Sequence, residues 1–330
     1  MQESKRHVKS TNLGCNVMNI VFASDNNYVN YLSICLCSIL ENNKHHTINF
    51  YILSHEISED SQRQLMRVVN AYPDKTIMFI PIPMEKFSNF PITIDYISLV
   101  TYARLALVDI FDWGRVDKLI YLDIDILVNG DLGPLWNIEL ADHALGACLD
   151  SFVEFEIQQD QHKEKLGLCS DHIYFNAGVL LINLKKWQEI NVFNQAILIL
   201  KEKKDLLRFQ DQDLLNIIFK DSLYVINPRF NFMFALFKRL KQLNAKEIDA
   251  LNTHEEVKNP IVIYHYCGKR KPWNIEVGKK DLYEIKASLY QRYAEKIGML
   301  KFCNNTRTSI LKKIKIWMKS IKIYFLLGIR

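Results

Sequence analysis

Two aspartates one residue apart, Asp123 and Asp125, close an apolar run in KLIYLDIDILVNGDLG, residues 118–133. In an extended segment side chains alternate faces, so both carboxylates project to one side while Ile124 turns back toward the core. Two carboxylates held a few ångströms apart repel unless a cation lies between them. A hard divalent metal with oxygen ligands, Mg²⁺ or Mn²⁺, satisfies such a pair and also bridges to diphosphate oxygens. The same residues could instead cap a turn and a neighbouring helix, and spacing alone leaves both readings open. A second pair, Asp211 and Asp213 in FQDQDLLNIIF, falls in a helical pattern. Residues two apart on a helix lie on different faces, which argues against shared chelation there.

The elements that must position these groups follow from periodicity. Short β-rich runs, NIVFA (19–23), INFYIL (48–53) and TIMFIP (76–81), are separated by helical patterns. Leu32, Cys35, Leu36, Ile39 and Leu40 recur at helical spacing, as do Leu65, Val68 and Val69 after the cap-like Ser58 and Glu59. Strand and helix in alternation predict an α/β fold, a Rossmann-like and mainly parallel sheet flanked by helices. Ligands of such sheets sit beyond the carboxyl ends of strands, which places Ser24, Asp25, Asn26, Asn27 and Tyr28 at a nucleotide crevice. Neither GxGxxG nor GxxxxGK[ST] occurs, so dinucleotide dehydrogenases and P-loop enzymes are disfavoured and another device must hold any phosphates.

Charge is distributed unevenly. Residues 301–330 carry eight Lys or Arg and no acidic residue, leaving 34 basic against 37 acidic groups in the first 300 residues. The net +5 therefore belongs to the tail and not to the body. Within it Ile310, Ile314, Trp317, Ile321 and Tyr324 form one helical stripe, and Lys312, Lys315, Lys319 and Lys322 another. The pattern predicts a basic amphipathic membrane-attachment helix at the anionic cytoplasmic leaflet of a membrane; five lysines between 312 and 322 exclude a span. The wide apolar stripe argues against nucleic acid. Seven cysteines without paired spacing point to a reducing cytoplasm. No signal peptide is expected at the N-terminus. Residues 1–17 read as a disordered extension, 18–300 as the globular domain and 301–330 as the attachment helix. Oligomeric state is not readable.

Longer strings carry more information than the spaced aspartates. NIVFASDNNY (19–28), TYARLAL (101–107), KLIYLDIDILV (118–128), YFNAGVLLINLKKW (174–187), FQDQDLLN (209–216), RFNFM (229–233) and HYCGKRKPW (265–273) occur in this order. In them the chain resembles glycosyltransferase family 8, retaining enzymes of GT-A fold that use nucleotide sugars, and within it the bacterial lipooligosaccharide and lipopolysaccharide galactosyl- and glucosyltransferases. The resemblance implies Asp123, Asp125 and His265 as ligands of Mn²⁺, with Mg²⁺ as the substitute. It implies Ala23, Asp25, Asn26, Asn27, Tyr28, Ile124 and Asp125 around the nucleotide, with Gly268 and Lys271 at the diphosphate. Arg104, Asp150, Asn176, Ala177, Asp211, Gln212 and Asp213 match positions around the transferred sugar. The implied reaction moves a hexose from UDP-galactose or UDP-glucose to a glycolipid oligosaccharide, with Gln212 beneath the sugar and Asp211 and Asp213 orienting hydroxyls. Arg104 lies in an apolar segment where arginine ordinarily snorkels to solvent. Asp150 and Asn176 each follow apolar runs at strand ends. Two other readings are an aspartyl-phosphate phosphatase, whose nucleophile loop DIDILV mimics, and a non-catalytic sugar-nucleotide-binding protein.

Overall fold

The computed structural model describes residues 17–92, 99–110, 112–114, 116–155, 159–233, 261–269, 271–273 and 282–303. Of the expected extension (1–17) residues 1–16, and of the expected attachment helix (301–330) residues 304–330, lie outside them. The described residues form ten strands: β1 (Met18–Asp25), β2 (Ile48–His55), β3 (Lys75–Pro81), β4 (Lys118–Leu122), β5 (Ile126–Val128), β6 (Leu145–Leu149), β7 (Phe175–Asn183), β8 (Leu223–Val225), β9 (Phe232–Met233) and β10 (Ile263–His265). Seven form one sheet in the order β3-β2-β1-β4-β7-β6-β8, and β5-β10-β9 form a second. All pairings in the large sheet are parallel except those of β7, which runs against both β4 and β6.

Strand alternation divides the apolar residues between two layers. Ile20, Phe22, Phe50, Ile52, Ile120 and Leu122 pack on one face with Leu32, Leu36 and Ile39 of the helix Val29–Asn42. Val21, Tyr51, Leu53, Leu119 and Tyr121 pack on the other with Tyr102 and Leu105. Strands buried on both faces read as near-continuous apolar runs, which is why these segments were conspicuous in the sequence. Each such buried side chain contributes about 1.5–3 kcal/mol of transfer free energy. The helix Glu59–Asn70 starts where its cap predicts, with Ser58 Oγ accepting from Ser61 N–H at 3.3 Å.

The reversal of β7 decides where the site forms. The carboxyl ends of β1, β4 and β6 share one rim of the sheet, and because β7 is antiparallel its first residues lie at that same rim. Leu122 at the end of β4 faces Val179, and Leu149 at the end of β6 faces Phe175. The chain leaves the rim at Asp150 and returns to it at Tyr174, whose carbonyl accepts from Asp150 N–H at 2.8 Å. The small sheet brings β10 beside β5, with His265 opposite Ile126, so that the imidazole arrives next to Asp125. At the end of the described chain the helix Leu282–Lys296 and the turn Leu300–Phe302 pack on the body through Tyr290, Ala294 and Cys303.

Candidate active site

A cavity of about 450 Å³ opens at this rim, lined among others by Tyr28, Arg104, Asp123, Asp125, Gln212, His265 and Lys271. β4 ends at Leu122, and Asp123, Ile124 and Asp125 form a turn into β5 instead of the expected strand. The carboxylates nevertheless converge, because the turn closes around Gly178 O, which accepts from Asp123 N–H at 2.8 Å. Ile124 does not turn wholly inward; it is half-buried against the core and also lines the cavity. Ligand atoms of Asp123, Asp125 and His265 all lie within 4.8 Å of one another. His265 Nε2 is 3.3 Å from Asp125 and 3.9 Å from Asp123.

These residues fit a divalent cation. Asn231 Nδ2 donates to Asn176 Oδ1, so Asn231 Oδ1 faces His265 Nδ1 at 2.9 Å and accepts its proton. The tautomer thus leaves the Nε2 lone pair facing the two carboxylates, as metal ligation by imidazole requires. Gly178 makes room: a Cβ there would lie 2.3 Å from His265 Cε1 and 2.8 Å from Asp123 Oδ2. One imidazole and two carboxylates suit Mn²⁺ or Mg²⁺.

Positive charge surrounds the pair. Arg104 lies on the 3₁₀ helix Leu99–Ala106 and does not snorkel as a lone arginine ordinarily does; it is 3% exposed. Its partners explain the burial: Nη2 donates to Asp123 at 2.7 Å, Nε pairs with Asp211 at 3.0 Å, and the guanidinium lies 4.3 Å from the Tyr121 ring centre. Burial pushes the Asp211 carboxyl up to about 6, with Arg104 pulling the other way. Lys271 pairs with Asp125 and donates to Tyr266 O at 3.0 Å. Burial would lower this ammonium, but Asp125 outweighs it and the pKa is raised. Burial likewise opposes ionisation of Asp125, while Lys271 and His265 together hold it well below the usual carboxylate range. Gly268, three residues earlier, has φ +85°, a conformation open to glycine and strained for other residues.

Asp150, Gln212, Asn176 and Asn231 form a continuous hydrogen-bonded chain to His265. Gln212 Oε1 accepts from Ala177 N–H and Asn176 Nδ2 at 3.0 and 3.1 Å, and its Nε2 donates to Asp150 Oδ2 at 3.0 Å. Asp150 also accepts from Asn176 Nδ2 at 3.0 Å and from Phe152 and Val153 N–H at 2.9 Å each. Asp150 follows β6 as expected, but Asn176 is the second residue of β7 and not a turn at a strand end. The antiparallel direction of β7 is the reason it still reaches the rim.

Three expected site residues point elsewhere. Asn26 and Asn27 are exposed and do not line the cavity; Asn26 Oδ1 accepts from Ser58 N–H, and Asn27 N–H closes a turn on Asp25 Oδ1. Asp213 is fully buried beneath the site, where it contacts His162 at 2.9 Å and Tyr174 and accepts from Arg208 and Phe209 N–H at 2.6 and 2.7 Å. It therefore orients backbone and not a ligand hydroxyl. Sequence reasoning in turn passed over Thr101, Tyr121, Gly178 and Asn231, which sit in the quoted strings, and Phe152 at the cavity lip.

Residues 19–276 match the profile of Glycosyl transferase family 8. Over 257 residues the chain is 41% identical to a Haemophilus influenzae protein named for glycosyltransferase activity, covering 78% of this chain and 73% of that one. It is 27% identical to the lipopolysaccharide 1,3-galactosyltransferase of Salmonella typhimurium, over 78% of this chain and 73% of that protein. The lipopolysaccharide 1,2-glucosyltransferase of Escherichia coli gives the same identity and coverage. The crystal structure of the galactosyltransferase LgtC with donor and acceptor sugar analogues superposes with a TM-score of 0.73 at 37% identity, covering 84% of this chain and 96% of that one. The sheet order, the rim cavity and these likenesses agree: the fold is GT-A, and the chain belongs to glycosyltransferase family 8.

Proposed function

We propose that the protein is a Mn²⁺-dependent retaining hexosyltransferase that moves galactose, or in second place glucose, from a UDP-sugar to the oligosaccharide of a lipooligosaccharide or lipopolysaccharide. The convergence of Asp123, Asp125 and His265 in a cavity also lined by Arg104 and Lys271 carries this reading. The acceptor class rests on the names of the Salmonella and Escherichia relatives, and galactose on LgtC. Asp123, Asp125 and His265 would hold the cation; when bound it supplies a Lewis acid for the diphosphate oxygens. Tyr28, Ala23 and Asp25 flank the nucleotide. Lys271 leaves Asp125 to meet the diphosphate, where its charge stabilises the departing group. Arg104, held by two carboxylates, keeps Asp123 and Asp211 in place.

Retention is best served by front-face attack, with the leaving diphosphate accepting the acceptor's proton. Gln212 supports this, since its amide oxygen already accepts two hydrogen bonds and is a poor nucleophile. Asp150 accepts four donors, so its oxygens are already engaged and not free to attack carbon. Asp211 lines the cavity and orients a sugar hydroxyl. A covalent glycosyl adduct on Asp150, Asp211 or Asp213, seen by intact mass, would overturn this mechanism.

Release of UDP from UDP-galactose and UDP-glucose, with and without Mn²⁺ and an oligosaccharide acceptor, tests the function. The expected result is Mn²⁺-dependent UDP release that falls at least about a hundredfold in D123A. Release of inorganic phosphate instead would favour phosphatase chemistry, and UDP affinity without turnover would leave a binding protein.

A further inference from the structure

At the opposite end of the sheet a second ligand cluster forms. His45 and His46 lie in the loop between the helix Val29–Asn42 and β2, and Asp131 lies in the loop after β5. Their ligand atoms all fall within 4.8 Å of one another. His46 Nε2 is 2.7 Å and His45 Nε2 3.7 Å from the Asp131 carboxylate, with the imidazole centres 4.1 Å apart. We infer that His45, His46 and Asp131 form a zinc site that staples these two loops, separate from the catalytic cation.

The frame around the cluster is already rigid. Asn43, fully buried, accepts from Leu132 N–H at 2.8 Å and donates to Ile39 O at 2.9 Å and Gly130 O at 3.4 Å, joining the two loops. Lys75 Nζ donates to His46 O at 2.6 Å, to Pro73 O at 3.1 Å and to Lys44 O at 3.2 Å, which holds the histidine backbone. The His46 ring rests against Gly133, where a Cβ would come within 3.0 Å of Cε1 and Nε2. Asp131 Oδ1 accepts from Gly133 N–H at 2.8 Å, so one carboxylate oxygen is aimed by the backbone. Ligands around a tetrahedral Zn²⁺ are separated by about 3.3 Å, between the 2.7 and 3.7 Å found here. Small rotations of the exposed His45 ring and the partly buried His46 ring supply the difference, and solvent supplies the fourth position.

Ligand chemistry separates this site from the first. Two imidazoles and one carboxylate favour Zn²⁺ over Mn²⁺ strongly, whereas a second carboxylate in place of an imidazole narrows that margin and suits a harder ion. The two clusters would therefore differ in how strongly each selects zinc. Closing the 43–47 loop onto 129–133 fixes the start of β2 and the exit of β5.

The test uses the full chain carrying D123N and D125N, so that the catalytic site does not compete. Titration with Co²⁺ alone is expected to give one saturable site with the strong visible absorption of a four-coordinate ion, displaced by Zn²⁺. Adding H46A or D131N should raise the dissociation constant about tenfold or more, with the circular dichroism spectrum unchanged. H46A in the otherwise native chain should leave Mn²⁺-dependent UDP release unaltered. Absence of saturable Co²⁺ binding, or binding of equal strength in H46A and D131N, overturns the site. D131N serves where H46A does not fold, since its amide oxygen still accepts from Gly133.

Discussion

A methyl group on Gly178 would sit 2.3 Å from His265 Cε1, far inside van der Waals contact. G178A is therefore expected to displace the imidazole, weakening Mn²⁺ binding at least about tenfold and costing about 1–3 kcal/mol of stability. Calorimetric titration of Mn²⁺ in the presence of UDP, together with urea unfolding, measures both. Asn231 acts on the same ring from behind, and N231A should weaken Mn²⁺ about 10–100-fold with little change in UDP affinity for the metal-free chain. The spaced aspartates and His265 were legible from the sequence because whole strings carried them. Asn231 was not, since nothing in RFNFM tells that one amide will face an imidazole 34 residues away in the chain. That Asn26, Asn27 and Asp213 do not line the cavity has a related reason: their matching strings fixed neighbourhood but not side-chain direction.

Among the elements, the helix Val29–Asn42 is joined to the helix Leu282–Lys296 through Glu41, which meets Lys296, Tyr72 and Lys44. Burial would raise the Glu41 pKa, but Lys296, Tyr72 and Lys44 bring it down to about 2 from an ordinary 4.5. A folded-state pKa below the unfolded one means stability present above about 4.5 and lost as pH falls through about 2. E41Q should accordingly lose stability at neutral pH and show a flatter stability profile across that acid window. Urea unfolding at a series of pH values measures the difference; parallel profiles in both proteins would contradict it. Parallel strands and the capped second helix were legible, as period and cap chemistry are local. The reversal of β7 was not, because an apolar strand buried on both faces carries no mark of its direction.

For the molecule as a whole, the charge asymmetry between body and tail makes a prediction about place. No helix among the described residues is long and apolar enough to cross a membrane. Attachment is proposed to rest on residues 304–330, whose lysines would each gain about 1 kcal/mol at an anionic surface. Because Phe302 and Cys303 pack on the body, the cut belongs after Cys303. The chain ending there should keep its turnover on a soluble acceptor and shift from the membrane to the soluble fraction; unchanged fractionation would refute the anchor. The direction of β7 has a consequence at this scale too. Asp150 and Tyr174 are tied side by side, so everything between them is a detour that departs from and rejoins one fixed point. Within that detour Phe152 and Val153 brace Asp150 and His162 braces Asp213, so variation that spares these three contacts leaves Asp123, Gln212 and His265 where they are.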